Sequence, residues 1–264
     1  MKLVLWQGDD GPRPGILTTR GVVLVPDVSS MVQLIDDFSQ RRAELEQLAV
    51  QGEALKLDNG RLLAPLPRPG KILCSTAAHG GDPAPLLMTL KSAESVIGPG
   101  QTVHLPTVDS TWQFVPEAEL GLVIRGPAKN VKAEDWQDVV FGFTCVIDVM
   151  ARGDTTFGRD FWLAKADTLG PLGPCIVTTD ELADPHAVRI RSWQNGQPRQ
   201  DFSSADAAYS VGQQVEFATT VMTLLTGDVI ACGTSPTGLE PLGDGDQVDV
   251  EIDGIGRLSV GVAA

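Results

Sequence analysis

The sequence predicts an α+β fold in which strands outnumber helices, preceded by a small N-terminal domain. Short apolar runs that favour β-structure recur from residue 71 to residue 263, and two helix-like segments interrupt them, at 132–140 and 210–225. Strands this numerous with so few helices between them indicate a mostly β domain rather than a doubly wound sheet.

The first 66 residues are predicted to form a small α+β domain, with the main domain at 67–264. Two strand-like runs, 2–7 and 21–26, precede a segment at 31–50 whose apolar positions have helical spacing. Asn59-Gly60 is a strong two-residue turn signal and predicts a second hairpin. The proline-rich segment at 65–70 is typical of a linker and gives the domain boundary.

Two local signals mark elements within the main domain. Ser210 and Gln213 have the spacing of a capping box, which predicts that a helix begins after Ser210. Asp253-Gly254 lies between two strand-like runs and predicts a hairpin turn.

The composition excludes several classes of partner. Twenty Lys and Arg against 34 Asp and Glu give a formal net charge of −14, which argues against nucleic acid or an anionic membrane as a partner. The four cysteines are widely spaced without a Cys-x-x-Cys pair, so we expect reduced core cysteines rather than a zinc site. The initial apolar run is too short for a signal peptide, and we expect a cytoplasmic location.

Two glutamates stand two residues apart in the strand-like stretch at 114–126. Alternation along a strand puts Glu117 and Glu119 on one face, where their charges repel. An ordinary interpretation is that this face is solvated. Asp148, however, lies within an apolar run that should be buried, and a buried carboxylate must be paired or must bind a metal ion.

The residues alone leave two interpretations of these carboxylates open. Three carboxylates with no Lys or Arg adjacent would suit an octahedral oxygen site for Mg²⁺ or Mn²⁺. Alternatively, Asp148 could pair with Arg152, four residues on, although residues at that spacing do not face each other on a strand.

Four motifs in order make the chain resemble the fumarylacetoacetate hydrolase family from residue 61 to the C-terminus, about three quarters of its length. The first is the Glu-x-Glu pair, followed about thirty residues later by the Asp-x-x-Ala-Arg segment at 148–152. Three further segments match around Lys165 (FWLAKADTLGPLGPCIVT), Gln200 (NGQPRQDFSSAD) and Thr234 (TGDVIACGTSPTG).

The resemblance implies a mixed β-sheet roll, one Mg²⁺ or Mn²⁺ per chain, and a homodimer. It implies small-molecule substrates that carry a 1,3-dicarbonyl or 2-keto acid group. The metal ligands would be Glu117, Glu119 and Asp148. His79, with Asp82 three residues later, resembles the water-activating pair of members that cleave C–C bonds, with Asp in place of the usual Glu.

Other roles follow from the same resemblance. Lys165 would stabilise negative charge on a substrate oxygen near the metal. Substrate contacts are assigned to Arg152, Gln200 and Thr234.

The chain departs from the family pattern in ways that bear on the substrate. Small residues (CSTAAH) replace the usual Gly-x-Asn-Tyr stretch before His79, and Ile147 and Met150 replace polar residues around Asp148. We expect these changes to lie in the pocket and to favour a larger or less polar substrate.

Several reactions remain open because the fold does not fix the chemistry. The leading expectation is a metal-dependent hydrolase that cleaves a C–C bond in an acylpyruvate. Alternatives are an oxaloacetate decarboxylase, a keto-acid isomerase or hydratase on the same metal site, and a non-catalytic metal-binding homologue.

Overall fold

Two β-sheets and three α-helices make up most of the regular structure in the part of the chain that the computed structural model describes, residues 1–76, 79, 85–109, 111–182 and 184–264. This composition confirms the predicted α+β, mostly β fold. No helix among these residues combines the length and the apolar character needed to cross a membrane. The helices are α1 (Met31–Gln51), α2 (Arg159–Leu163) and α3 (Val211–Val221).

The strands are short except for two long central ones. They are β1 (Lys2–Gly8), β2 (Gly11–Thr18), β3 (Gly21–Leu24), β4 (Arg61–Leu63), β5 (Ile72–Ser75), β6 (Met88–Lys91), β7 (Thr102–His104), β8 (Gln113–Ile124), β9 (Val140–Arg152), β10 (Leu172–Thr178), β11 (Arg189–Gln194), β12 (Gln197–Ser203), β13 (Val229–Ala231), β14 (Gln247–Ile252) and β15 (Gly256–Ala263).

The larger sheet has ten strands in the order β3-β2-β1-β10-β9-β8-β13-β5-β6, with β4 paired to β1. The smaller sheet has the order β12-β11-β14-β15-β7. The predicted hairpin at Asp253-Gly254 is confirmed, because β14 and β15 pair in antiparallel register on either side of it and Gly254 has a φ of +82°. That left-handed conformation is one that glycine adopts without steric cost.

The N-terminal segment continues the large sheet. β1 pairs with β10, where Leu3 lies opposite Ile176. The hairpin predicted at Asn59-Gly60 is wrong: residues 57–59 form a 3₁₀ turn, and β4 pairs with β1 instead. The boundary at 66/67 stays a prediction, since the two segments share a sheet.

Both segments of the main domain that were predicted to be helical contain a helix, but its bounds differ from the predicted ones. The segment at 132–140 is a 3₁₀ helix, Ala133–Asp138. The capping box at Ser210 and Gln213 is confirmed, and α3 ends at Val221, earlier than expected.

The two faces of β8 lie in different surroundings. Ala118, Leu120 and Leu122 point into a core shared with the small sheet, to which β14 and β15 contribute Val250 and Leu258. On the opposite face, the two ends of the strand are covered by different helices. Val123 packs in one cluster with α1, and Val115 packs in another with Ala164 and α2. The two glutamates lie between these clusters.

Candidate active site

The three predicted metal-binding carboxylates lie together on one face of the β8–β9 pair. Glu117 is directly opposite Asp148 in the antiparallel register, and Glu119 follows one rung along on the same face. Glu117, Asp148 and Glu119 are 8%, 2% and 0% exposed. The interpretation of a solvated face is therefore wrong, because both sides of this strand are covered.

Two cations compensate part of this charge. Lys91 of β6 places its Nζ 2.7 Å from Asp148 Oδ1, and the Arg152 guanidinium contacts Glu117 Oε1. The expectation that no Lys or Arg neighbours the carboxylates is thus wrong. The alternative pairing of Asp148 with Arg152 is also wrong, because Arg152 extends from β9 toward Glu117 instead.

Three hydrogen bonds hold Lys91 in addition to its ion pair with Asp148. Its Nζ donates hydrogen bonds to the carbonyl oxygens of Val149, Ala164 and Leu169, at 3.2, 2.7 and 3.0 Å. An ammonium group has three protons, so these bonds use all of them. Asp148 Oδ1 is attracted by the charge of Lys91 yet receives no hydrogen bond from the described residues.

We expect Lys91→Met to lower the free energy of unfolding by about 3–5 kcal/mol, because it leaves three carbonyls and a buried carboxylate without their partner. Urea unfolding of the metal-free protein measures this, with Lys129→Met as the control because Lys129 is exposed. A loss below about 1 kcal/mol would contradict the role given to Lys91.

Two buried carboxylate oxygens have no hydrogen-bond donor within the described residues: Glu119 Oε1 and Asp148 Oδ1. The other oxygen of Glu119 accepts a 2.7 Å bond from the Gly233 N–H. Burial raises the pKa of Glu119 well above its usual value, and the charges of Asp148 and Glu117 add to that. Burial, then Asp148, raises the pKa of Glu117 to about 7, against the opposing effect of Arg152 and Lys91.

Such a donor set fits a hard divalent cation. Carboxylate oxygens are the ligands that Mg²⁺ and Mn²⁺ prefer, and a dication would offset the repulsion that raises these pKa values. Within the described ranges no three His, Cys, Asp or Glu side chains are already gathered as a cation-binding cluster. The fit therefore rests on the chemistry of the three carboxylates and on their two unsatisfied oxygens.

A cavity of about 480 Å³ opens over this face. Its wall contains polar groups of β5 and β6 and an apolar group of α2. The 233–240 loop, which follows β13, contributes both polar and apolar groups. The described lining residues are Cys74, Ser75, Thr76, Thr89, Glu117, Asp148, Met150, Arg152, Asp160, Phe161, Thr234, Pro236 and Leu239.

Of the two residues near Asp148 that depart from the family pattern, one lies in the pocket and the other in the core. Met150 lines the cavity as expected. The prediction for Ile147 is wrong: it is fully buried in the core on the opposite face of β9. The four cysteines are free and buried as expected, although Cys74 also lines the cavity.

Lys165 lies at the edge of the cavity. Its Nζ donates a 3.0 Å hydrogen bond to Oγ1 of Thr89, which is a lining residue. Burial lowers the pKa of Lys165.

Gln200 and Thr234 are joined to β8 and to each other. The Gln200 side chain accepts from the Ala118 N–H at 3.1 Å and donates to Thr234 Oγ1 at 2.9 Å and to the Ser235 carbonyl at 2.8 Å. Thr234 Oγ1 in turn donates to the Ala118 carbonyl at 2.9 Å. The substrate contacts of both residues stay predictions, and these bonds fix Thr234 in the cavity wall.

His79 is buried, and its ring is held from one side. Nδ1 lies 3.3 Å from the Ser203 carbonyl oxygen, so Nδ1–H donates there and the Nε2 lone pair is free to accept a proton. Nε2 has no partner among the residues that the structure describes. Burial lowers the pKa of His79, which favours the neutral ring.

His79 reaches the cavity only indirectly in this structure. It is not among the described residues of the cavity wall, but its backbone N–H donates to the carbonyl of Thr234, which is. Its predicted partner, Asp82, lies outside the described residues.

Sequence reasoning missed two charged residues at this site. Lys91 gave no signal because β6 is four strands away from β9 in the sheet order, and only curling of the sheet brings it beside Asp148. Asp160 lies in α2 and directly precedes the matched segment that begins at Phe161, but it is not part of that segment, and it lines the cavity.

Comparison with known proteins identifies close relatives. A family model described as fumarylacetoacetate (FAA) hydrolase C-terminal matches residues 74–263. The oxaloacetate tautomerase fahd2 of Xenopus laevis is 32% identical over 98% of this chain and 89% of its own. The oxaloacetate tautomerase YisK of Bacillus subtilis is 34% identical over 77% of this chain and 73% of its own.

A solved structure is similar along the whole chain. The maleylpyruvate hydrolase of Sphingobium sp. SYK-6, in complex with manganese (II) ion and pyruvate, has a TM-score of 0.88. It is 30% identical, and the match covers 100% of this chain and 99% of that one.

Proposed function

The chain belongs to the fumarylacetoacetate hydrolase family, and we propose that it is a divalent-metal-dependent hydrolase. It would cleave the C–C bond of an acylpyruvate or a related 1,3-dicarbonyl compound. Relatives of this chain act on keto acids as hydrolases and isomerases, which supports the proposal. The observation that carries the proposal is the buried carboxylate group of Glu117, Glu119 and Asp148 beside a cavity of suitable size for a small keto acid.

These three residues would hold one Mg²⁺ or Mn²⁺ per chain. The manganese and pyruvate bound to the related hydrolase support this part of the proposal. When bound, the cation would act as a Lewis acid toward the carbonyl oxygens of the substrate. A homodimer remains an expectation.

The proposed reaction takes R–CO–CH₂–CO–COO⁻ and water to R–COO⁻, pyruvate and one proton. His79 would accept the proton of the attacking water at Nε2, with Asp82 as its predicted partner. The Lys165 ammonium would stabilise negative charge as the C–C bond breaks. Arg152 and Thr234, both in the cavity wall, would hold the substrate carboxylate, and Gln200 would orient Thr234.

A second candidate is a keto-acid isomerase or decarboxylase acting on oxaloacetate at the same carboxylates. Two observations favour it: relatives are named oxaloacetate tautomerases, and His79 does not line the cavity among the described residues. Neither of these reactions needs an activated water.

The loss of enol absorbance from an acylpyruvate with Mn²⁺, together with the yield of pyruvate, tests the proposal. We expect one pyruvate and one carboxylic acid per substrate consumed. Ketonisation or decarboxylation of oxaloacetate without hydrolysis of any acylpyruvate would replace the proposal by the second candidate.

Cation affinity should depend on pH through Glu117. The pKa of this carboxyl is 4.5 when unperturbed and about 7 in the folded protein, so between these values the folded state holds a proton that the unfolded state has lost. The free energy of unfolding of the cation-free protein therefore falls as pH rises from 4.5 to about 7. A cation must displace this proton below pH 7. We expect Mn²⁺ to bind at least about 25-fold more weakly at pH 5.5 than at pH 7.5, because the raised pKa of Glu119 adds to the effect of Glu117.

Titration of Mn²⁺ by electron paramagnetic resonance at the two pH values measures this change. Glu117→Gln should weaken binding at both pH values and reduce the pH dependence without abolishing it, because the pKa of Glu119 is raised as well. A change of less than about threefold in the parent protein would exclude Glu117 as a titrating ligand.

A further inference from the structure

The carboxylate face of the β8–β9 pair becomes apolar one rung beyond Glu117 and Asp148. The next pair on the same face is Val115 and Met150, about 7 Å further along the strands. These two side chains form one buried cluster with Ala164, against which Phe161 and Leu239 pack. Because Met150, Phe161 and Leu239 all line the cavity, this cluster presents a continuous apolar wall to it.

A third carboxylate lines the cavity, next to this apolar wall. Asp160 precedes Phe161 in α2, lines the cavity, and is only 8% exposed. Its Oδ1 has no hydrogen-bond donor in the described structure, and no cation lies within 4 Å of it among those residues. An anionic group placed beside Asp160 would therefore be repelled, with only the more distant charge of Lys165, among the described residues, to offset the repulsion.

Two cations at the cavity, Arg152 and Lys91, are held at the end that carries Glu117 and Asp148. Arg152 lies opposite Gln113, one rung beyond Met150, yet its guanidinium reaches back across that rung to Glu117. Lys91 is likewise committed to Asp148 and to three carbonyls. A 2-keto acid held at the carboxylate end can have its own carboxylate there, beside Arg152. Its acyl end then meets the apolar wall and Asp160.

We propose, on the premise of the function proposed above, that the substrate is an acylpyruvate with an uncharged apolar acyl group, alkyl or aryl. Met150, Phe161 and Leu239 bind this group, and Asp160 discriminates against a second carboxylate. Asp160 is a specificity-determining residue, and it carries no step of the bond cleavage.

Two substrates of equal chain length test this inference. Butanoylpyruvate ends in a methyl group where succinylpyruvate ends in a carboxylate. We expect kcat/KM of the wild type to favour butanoylpyruvate by at least about tenfold, since a like charge in a poorly solvated cavity is strongly repelled. In Asp160→Asn, the ratio of kcat/KM for succinylpyruvate to kcat/KM for butanoylpyruvate should rise about tenfold.

Asp167→Asn is the control, because Asp167 is exposed and does not line the cavity; it should leave the ratio unchanged. Asp160→Ser replaces Asp160→Asn if the latter does not fold. A wild type that prefers succinylpyruvate, or an Asp160→Asn ratio equal to that of the wild type, overturns the inference.

The same pair separates this inference from the proposed function. Release of pyruvate from both substrates with a preference for succinylpyruvate would leave the hydrolase and remove the specificity. If neither substrate is cleaved, the hydrolase proposal fails, and the dissociation constants of the two compounds in the presence of Mn²⁺ decide the specificity: tighter binding of butanoylpyruvate supports it and tighter binding of succinylpyruvate overturns it.

Discussion

Glu119→Gln should reduce pyruvate release by about a thousandfold or more, since loss of the Lewis acid removes several kcal/mol of transition-state stabilisation. The same variant should raise the melting temperature of the cation-free protein. Glu119 is fully buried, and burial raises its pKa well above the usual value, so its charged form is costly in the fold. A neutral amide of the same shape keeps the acceptor for the Gly233 N–H and removes that cost.

A loss of activity together with a rise in melting temperature distinguishes a metal ligand from a residue whose role is structural. A residue kept for the fold alone would lose both together. Melting curves with and without Mn²⁺ give the third readout: the stabilisation by Mn²⁺ seen in the parent protein should disappear in Glu119→Gln.

Excess chelator should reproduce the loss of activity in the parent protein, and added Mn²⁺ should restore it. Glu134→Gln is the matched control, because Glu134 is exposed in the 3₁₀ helix at 133–138. Retention of more than a tenth of the activity in Glu119→Gln, or an unchanged response to Mn²⁺, would contradict the assignment.

Alternation along a strand, which depends only on neighbouring residues, predicted much of how the three carboxylates are arranged. Alternation along a strand placed Glu117 and Glu119 on one face, and the antiparallel register of β8 with β9 brings Asp148 opposite Glu117. The same rule, applied to β9, would also have placed Ile147 correctly. It is the neighbour of Asp148 in sequence and therefore points to the opposite face, into the core.

Contacts between residues far apart in the sequence could not be predicted from the sequence alone. Lys91 meets Asp148 only because the ten-stranded sheet curls, and nothing local to either residue encodes that curvature. Asn59-Gly60 is a sound turn signal, but the strand after it pairs with β1, where Leu63 lies opposite Leu5. Tertiary strand pairing thus outweighs a local hairpin signal.

His79→Ala should separate hydrolysis from the reactions that need no activated water. Removing a general base costs about 10²- to 10⁴-fold, so pyruvate release from an acylpyruvate should fall by that factor at saturating Mn²⁺. Ketonisation or decarboxylation of oxaloacetate by the same preparation should change less than about threefold, because the carboxylates and Lys165 remain. His104→Ala is the matched control, since His104 is exposed.

The pH profile gives an independent test of the same residue. Burial lowers the pKa of His79 below 6.5, and its Nδ1–H is held by the Ser203 carbonyl, so the neutral form with a free Nε2 persists into mildly acidic solution. At saturating Mn²⁺, hydrolysis should therefore stay constant as the pH falls to about 6.5 and decline only below it, once the ring is protonated. If His79→Ala hydrolyses acylpyruvates at the parent rate with the same profile, the water is activated by another group, and the role assigned to His79 is wrong although the hydrolase proposal stands.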